Sequence, residues 1–259
     1  MQRLSGMTMM WALATVLIAS GVARGVSVSI YDLQYTTNPT GASTYEGSTV
    51  DCYGGVVIHK FEGYRTRVWL YDPQHADGWG GIVAKDFSGA DAFGSVALGD
   101  WVSLSGVLVE EYRGNTQLAI DNALSVSVTG TGNSLPGAVD VGEVGFVEAY
   151  EAMPVSVSNV TVTAMDLGAK EDNYRLHNTY GDCWASDYMN TDAEGPYHAG
   201  VSMGRQFTSV SGILEQYEKE TWDYLQLLTL DSGSFVPEPT SLLLLALGAL
   251  GLRRRRKKS

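Results

Sequence analysis

A weak internal repeat limits most strongly how this chain of 259 residues can fold. Both copies read glycine turn, strand, Ser-Gly, Val/Ile-Leu, Glu-x-Tyr, turn, and a strand ending in Gln-Leu, and they occupy residues 99–118 and 204–227. The period of about 106 residues is close to the size of one compact domain. Gly106 and Gly212, one inside each first strand, would allow the sharp bend that a small barrel needs at its corners. The repeat predicts two tandem β-barrels, over residues 26–130 and 131–235; the alternative is one sandwich of about 200 residues.

The pattern between the two ends of the chain is that of strands. Short runs of Val, Ile, Thr, Trp and Tyr alternate with Gly, Asp and Asn turns, which predicts an all-β fold. Alternation is strict over residues 155–163, as in a strand with one buried and one polar face. Residues 27–31 are also predicted to be a strand. Only residues 138–153 could hold a short helix, and Gly142 and Gly145 argue against a long one.

The last 24 residues, 236–259, fall into three parts. Pro237, Glu238 and Pro239 predict a stiff, unpaired linker, because proline removes a backbone donor and biases the residue before it to extended geometry. The uncharged run over residues 240–252 is rich in Leu and Ala and predicts a short apolar helix. Its length of ~20 Å is less than the ~30 Å hydrocarbon core, so it is a weak permanent anchor. Six cations at residues 253–258 mark the side that stays cytoplasmic.

This tail closely resembles the PEP-CTERM sorting signal of exported bacterial proteins. The residues that carry the resemblance are Pro237, Glu238, Pro239, Arg253, Arg254, Arg255 and Arg256. The resemblance implies an intermediate anchored transiently in the inner membrane, cleavage near Pro-Glu-Pro by an exosortase-like peptidase, and delivery to the cell surface or the medium. The alternative is an ordinary tail anchor that is never removed.

The N-terminus is consistent with export. Arg3 precedes an uncharged stretch over residues 4–23, and Gly21, Ala23 and Gly25 offer small residues for signal peptidase. We therefore expect residues 1–25 to be a signal peptide with an apolar helical segment. The alternative, an uncleaved N-terminal anchor, would also carry the middle of the chain out of the cytoplasm.

The exported part is strongly acidic. Residues 26–235 contain nine basic and 28 acidic residues, a net charge of −19, and only Lys60, Arg65 and Arg67 lie close together among the cations. Non-specific affinity for nucleic acid comes from cations that displace counterions, so we expect no nucleic acid partner. The charge suits a secreted protein.

Residues that carry catalytic or metal chemistry are sparse. His59, His75, His177 and His198 are isolated, and no hydrolase elbow, zinc-protease helix or phosphate-binding loop occurs. We therefore expect no enzyme activity, cofactor or metal. Asp72 and Asp77 flank His75 in a loop where a hard cation could bind, although an Asp/Gly turn explains them equally well.

The two cysteines, Cys52 and Cys183, lie one in each half of the chain. A disulfide between them would have to join the two predicted barrels, and the alternative is that both are free thiols packed as small apolar residues. The sequence leaves the two possibilities open.

The order of strand and turn motifs adds a second resemblance. Gly-Val-Val at 55–57, Trp-Leu-Tyr-Asp at 69–72, Gly-Gly-Ile-Val at 80–83 and the 112–118 hairpin resemble OB-fold domains of bacterial secreted proteins. Such domains often accompany extracellular nucleases. The second copy is looser, because Asp182-Cys183-Trp184-Ala185 replaces the Gly-Gly-Ile-Val strand. These motifs argue for fold rather than activity.

Aromatic residues give the candidate ligand contacts. Trp69 and Tyr71 are two positions apart and share one face of a strand, where OB-folds stack bases or sugar rings; packing in the core is the alternative. The acidic surface favours a neutral or cationic ligand such as a glycan.

We therefore expect a non-catalytic surface or matrix protein with an exopolysaccharide as candidate partner. The alternative is an accessory nucleic-acid module or a degenerate relative of secreted nucleases.

Overall fold

The computed structural model describes residues 25–166, 173–189, 197–198, 200–219 and 222–238. The predicted apolar helices of the signal peptide and of residues 240–252 lie outside these ranges, as do Pro239 and the basic residues 253–258. Within the described ranges, no helix has the length and apolar character needed to span a bilayer.

The first barrel contains seven strands. They are β1 (Val26–Val28), β2 (Thr49–Glu62), β3 (Thr66–Tyr71), β4 (Gly81–Asp86), β5 (Trp101–Tyr112), β6 (Asn115–Ile120) and β7 (Val126–Gly130). Their order is β1-β2-β3-β4-β6-β5-β7, and β2 also pairs with β5, which closes a barrel of five strands. The pairs are antiparallel except β4–β6 and β1–β2.

The second barrel repeats this topology strand for strand. It contains β8 (Val139–Asp140), β9 (Pro154–Met165), β10 (Asn173–Asn178), β11 (Gly181–Ser186), β12 (Gln206–Lys219), β13 (Trp222–Leu228) and β14 (Phe235–Pro237). Pairing of β9 with β12 closes the barrel, and β11–β13 and β8–β9 are its parallel pairs. The predicted all-β fold with two small barrels is confirmed, and β14 is the counterpart of β7.

The N-terminal segment differs from the prediction. β1 ends at Val28, and a helix, α1, follows over Ile30–Gln34. The strand predicted over residues 27–31 is therefore wrong from Ser29 onward. The reason is a capping box: Ser29 caps the backbone N–H of Asp32, and the Asp32 carboxylate accepts the Ser29 N–H at 2.9 Å. In the segment predicted to hold a short helix, only Glu148–Tyr150 form a 3-10 turn.

Each barrel has its own apolar core, and each core accommodates one cysteine. Cys52 is buried in the first core, and Cys183 packs partly buried against the second. Both are free thiols. Burial raises the pKa of Cys52 to about 11 and that of Cys183 to about 12, so both sulfurs stay protonated at neutral pH.

A third apolar cluster joins the two barrels. Trp69 and Val83 on the outside of the first barrel pack with Met189, Ile213 and Leu228 of the second. The inward-facing residues of β3 meanwhile fill the first core, as strand alternation requires. The outer face of β3 is therefore buried against the second barrel. This interface between the barrels, formed by Trp69, Val83, Met189, Ile213 and Leu228, is termed the seam.

Candidate functional site

The predicted stacking residues do not present a face to solvent. Trp69 and Tyr71 do share one face of β3, but they are only 2% and 4% exposed. Trp69 belongs to the seam cluster, and Tyr71 packs against the second core. Their large apolar rings are covered by the second barrel, an arrangement that corresponds to core packing, the alternative to ligand stacking.

The loop considered for a hard cation is built as a turn. The Asp72 carboxylate accepts the N–H of Gln74 at 3.0 Å and lies 2.9 Å from Nδ1 of His75. The imidazole of His75 stacks on Tyr31 with ring centres 4.4 Å apart. Among the residues with described positions, no group of three or more His, Cys, Asp or Glu side chains is arranged to hold a metal ion.

Of the other histidines, His198 is buried and His59 partly buried, whereas His177 is exposed and lies 2.6 Å from a carboxylate oxygen of Asp182. His59 lies beside Trp69, with ring centres 5.3 Å apart, and burial lowers its pKa to about 4. It is therefore neutral at physiological pH. His198 is 1% exposed and donates its backbone N–H to Asp187 at 2.6 Å.

A polar cleft of about 300 Å³ opens at the edge of the seam. Three cations line it: Arg67 on β3, Lys85 on β4 and Arg113 in the turn between β5 and β6. Arg67 and Lys85 are direct cross-strand partners, so the antiparallel register places them side by side. They follow the Trp69–Val83 pair on the same outer face, where the apolar contact with the second barrel ends.

A tight turn carries the third cation across the seam. Tyr112 pairs with Asn115, which leaves Arg113 and Gly114 as a two-residue turn with φ of 58° and 85°. Positive φ at both positions is characteristic of a type I′ turn, for which glycine is well suited. The Arg113 carbonyl accepts the N–H of Glu218 at 2.8 Å, so the turn is bonded directly to β12.

Side chains of the second barrel complete the cleft. Arg67 donates to the hydroxyl of Tyr188 at 3.1 Å, and Arg113 donates to the hydroxyl of Tyr217 at 3.1 Å. Asn115 exchanges two hydrogen bonds with the backbone of Gln216: its amide donates to the Gln216 carbonyl, and its oxygen accepts the N–H at 3.0 Å. The cleft walls therefore come from both barrels and are joined by hydrogen bonds across the interface.

The cations of the cleft lie against aromatic rings. The ammonium of Lys85 is 4.9 Å from the ring centre of Tyr112 and 5.2 Å from that of Phe87, and Arg65 lies 4.2 Å from Phe87. Burial, followed by the charges of Arg67 and Arg65, lowers the pKa of Lys85. Four of the nine cations of residues 26–235 therefore lie near one another: the three that line the cleft, and Arg65 beside it.

Sequence reasoning missed this cluster because its members are separated by up to 48 positions. Only Arg65 and Arg67 are close in sequence, whereas Lys85 joins them through strand pairing and Arg113 through the hairpin turn. The Tyr-Arg-Gly turn at residues 112–114 was a usable signal, because a cation at a turn position must project near the end of the hairpin.

The start of the sorting tail is part of the second barrel. β14 pairs antiparallel with β12, with Val210 opposite Phe235 and Phe207 opposite Pro237. Phe235 is 9% exposed and packs on Phe207 at 5.1 Å between ring centres. Glu238 follows directly and is exposed. The boundary predicted at residue 235 therefore falls inside a strand, and no free linker separates the barrel from Pro237-Glu238.

We expect β14 to stabilise the second barrel. A protein truncated after Ser234 should unfold more readily than one truncated after Glu238, by about 2 kcal/mol, because the Phe235 ring loses its burial. Thermal melts followed by circular dichroism measure this. Phe235→Ala should reproduce most of the loss, whereas Val236→Ala, at a half-exposed position, should not. Equal melting temperatures for both truncated forms would show that the strand contributes nothing.

Comparison with known proteins identifies the tail. A sequence profile described as the PEP-CTERM protein-sorting motif matches residues 235–257. A search of curated proteins found no match to the sequence.

Solved structures give distant similarities over most of the body. Tetrameric p202 HIN2 is 11% identical, with 70% of this chain and 88% of that chain covered and a TM-score of 0.34. A murine DNA-binding protein solved with double-stranded DNA is 9% identical, with coverages of 67% and 91% and a TM-score of 0.36. Fission yeast Pot1 with single-stranded DNA is 14% identical, with coverages of 70% and 78% and a TM-score of 0.28. Similarity this low carries no argument about ligands.

The match to the tail covers the residues that the sequence pattern had singled out, and it begins at the first residue of β14. The chain is therefore a protein with a C-terminal PEP-CTERM sorting motif, at residues 235–257, on a body of two small closed β-barrels.

Proposed function

We propose that the protein is an exported, non-catalytic cell-surface or matrix protein whose two-barrel body binds a glycan. The sorting motif at residues 235–257 carries the proposal, since it supports export through the exosortase system. The protein would pass through a membrane-anchored intermediate after signal peptidase has removed the N-terminus. The body would then be released to, or displayed at, the cell surface.

A glycan ligand fits an exported protein with an acidic surface better than a nucleic acid does. A net charge of −19 over residues 26–235 repels an extended polyphosphate, and efficient nucleic-acid binding requires a long positive groove. The role of an accessory nucleic-acid module remains the second candidate, and the proximity of Arg65, Arg67, Lys85 and Arg113 to one another is the observation in its favour.

Processing at both ends is the first test. In a host that carries an exosortase, intact-mass measurement of the surface form should show loss of the N-terminal segment and of Arg253–Lys258. Glu238→Ala should retain the basic tail without disturbing the barrels, because Glu238 is exposed and follows the last residue of β14. Glu218→Ala, an exposed acid on β12, is the matched control and should be processed normally. A mature wild-type species that keeps Arg253–Lys258 would mean that the protein is tail-anchored.

A further inference from the structure

The cleft at the seam combines features that a purely structural contact does not require. It concentrates Arg67, Lys85 and Arg113 around a space of about 300 Å³, in a body that is otherwise strongly acidic. Like charges placed together repel one another, and this repulsion contributes to the lowered pKa of Lys85. An arrangement of this kind is stabilised when an anion enters.

The acids nearby compensate this charge only in part. Glu215 lies 3.9 Å from Arg67, but its other oxygen accepts from Gln226 at 3.0 Å. The charge of Glu110 raises the pKa of Lys85, which opposes the effect of the neighbouring cations. Glu110 also accepts a hydrogen bond from Gln117 at 3.0 Å. Among the described residues, no carboxylate lies within ion-pair distance of Lys85 or Arg113. Of the described residues that line the cleft, Glu215 is the one acid beside three cations, while Glu110 acts on Lys85 from outside the lining and Arg65 adds a fourth cation beside the cleft.

The polar groups of the cleft suit a ring with several hydroxyls. Tyr188 and Tyr217 place hydroxyls beside the arginines, and Gln117 and Gln216 add amides. Tyr112 at the rim is 48% exposed and offers an aromatic edge. A guanidinium forms directional, charge-assisted hydrogen bonds with a carboxylate, and tyrosine combines an apolar body with a polar tip.

We propose that this cleft binds a carboxylate-bearing sugar residue of an acidic polysaccharide, with Lys85 and Arg113 as its principal anion contacts. The proposal rests on the glycan-binding function above and names its chemical class. The net charge of the body predicts a neutral or cationic ligand, whereas the cleft lining contains more cations than acids at this one place.

The extent of the cluster favours a short acidic sugar segment over a nucleic acid strand. The separate pocket that Arg65 lines also contains Glu62, Asp86 and Asp91, so the cation there is matched by acids. A single-stranded nucleic acid needs a positive track and successive exposed aromatic platforms. The cleft instead provides one compact positive site.

Matched ligands that differ only in charge test the proposal. The full-length protein in detergent micelles is titrated calorimetrically with oligogalacturonate, with the fully methyl-esterified oligogalacturonate, and with a single-stranded oligonucleotide. We expect binding of the free acid, weaker at higher salt, and at least tenfold weaker binding of the ester, because esterification removes the charged hydrogen bonds.

Variants locate the site. Lys85→Gln and Arg113→Gln should each weaken binding of the acid about tenfold, the usual effect of losing one charge-assisted contact. Lys85→Arg should retain most of the affinity. The control is Arg205→Gln, which removes the same charge at an exposed position outside the cleft and should bind like the wild type. Unchanged melting temperatures show that the variants are folded.

Each other outcome overturns the proposal. Equal binding of acid and ester would keep glycan binding but remove the charge selectivity. Tighter binding of the oligonucleotide, lost in the same variants, would assign the cleft to nucleic acid. No binding of any probe, or losses equal to that of Arg205→Gln, would remove the site, while the processing experiment would still decide export independently.

Discussion

Gly212→Ala is expected to destabilise the second barrel by about 3 kcal/mol or more. A Cβ at residue 212 would overlap the backbone carbonyl oxygen of Leu228 and would lie 2.8 Å from its carbonyl carbon. These atoms belong to the β12–β13 ladder, where Ile213 pairs with Leu228, so neither strand can move without breaking barrel hydrogen bonds. Overpacking against rigid backbone typically costs 1–3 kcal/mol, or more where nothing can shift.

The repeat supplies a matched control for this prediction. Gly106 occupies the same place in the first copy, but it has φ of 62° and open space around the position of a Cβ. Gly106→Ala should therefore cost only about 1–2 kcal/mol, the strain of a left-handed residue. Chemical denaturation of the two variants compares these costs. If Gly106→Ala proved as destabilising as Gly212→Ala, close backbone approach would not be the reason for the second glycine.

Stability is expected to fall as pH rises from about 4.5 to above 7. Burial, together with the charge of Glu111, raises the pKa of Glu148 to about 7, and burial raises the pKa of Glu151 well above its usual range. Because the folded protein holds these protons more tightly than the unfolded chain, their stabilisation is complete below about pH 4.5. It is lost as pH rises through the folded pKa values.

The buried geometry explains why Glu151 cannot easily ionise. Its Oε1 accepts from Gln34 at 3.2 Å and from the N–H of Thr116 at 3.1 Å, whereas its Oε2 has no hydrogen-bond partner among the described residues. Glu148 and Glu111 lie nearby and share its sign. The three carboxyls sit where the N-terminal segment, the first barrel and the inter-barrel connection meet.

Glu148→Gln is the variant that tests this dependence. It should raise the stability at pH 8 by about 1–2 kcal/mol, after allowance for its partial exposure, and flatten the profile between pH 5 and 8. Thermal melts across this pH range measure the effect. Asp121→Asn, at an exposed position, removes the same charge and controls for general repulsion in an acidic protein. An equal gain from Asp121→Asn would attribute the pH dependence to net charge alone.

Most of the architecture could be predicted because it follows from local sequence patterns. Turn glycines, period-two alternation and the repeat are short-range signals, and they correctly indicated two small barrels. The helix Ile30–Gln34 was missed because its five residues resemble a strand in composition. The Ser29–Asp32 capping box was the available signal.

The candidate site was harder to predict because it depends on pairing between distant segments. Trp69 and Tyr71 were correctly placed on one face, but only the docking of the second barrel decides that this face is covered. Likewise, the register that sets Arg67 beside Lys85, and the turn that brings Arg113 to Tyr217, are tertiary facts. Net charge over the whole body concealed a local excess of the opposite sign.

The position of β14 also limits how the sorting signal can be moved between proteins. A fusion that starts at residue 235 would carry a strand whose natural partner, β12, stays behind with the donor. The recipient would then display an unpaired edge with an exposed phenylalanine, a feature that promotes aggregation. A transplant that starts at Pro237 keeps the Pro-Glu-Pro residues and leaves Phe235 and Val236 paired in the donor barrel, so it carries less of the strand than the recognised motif does.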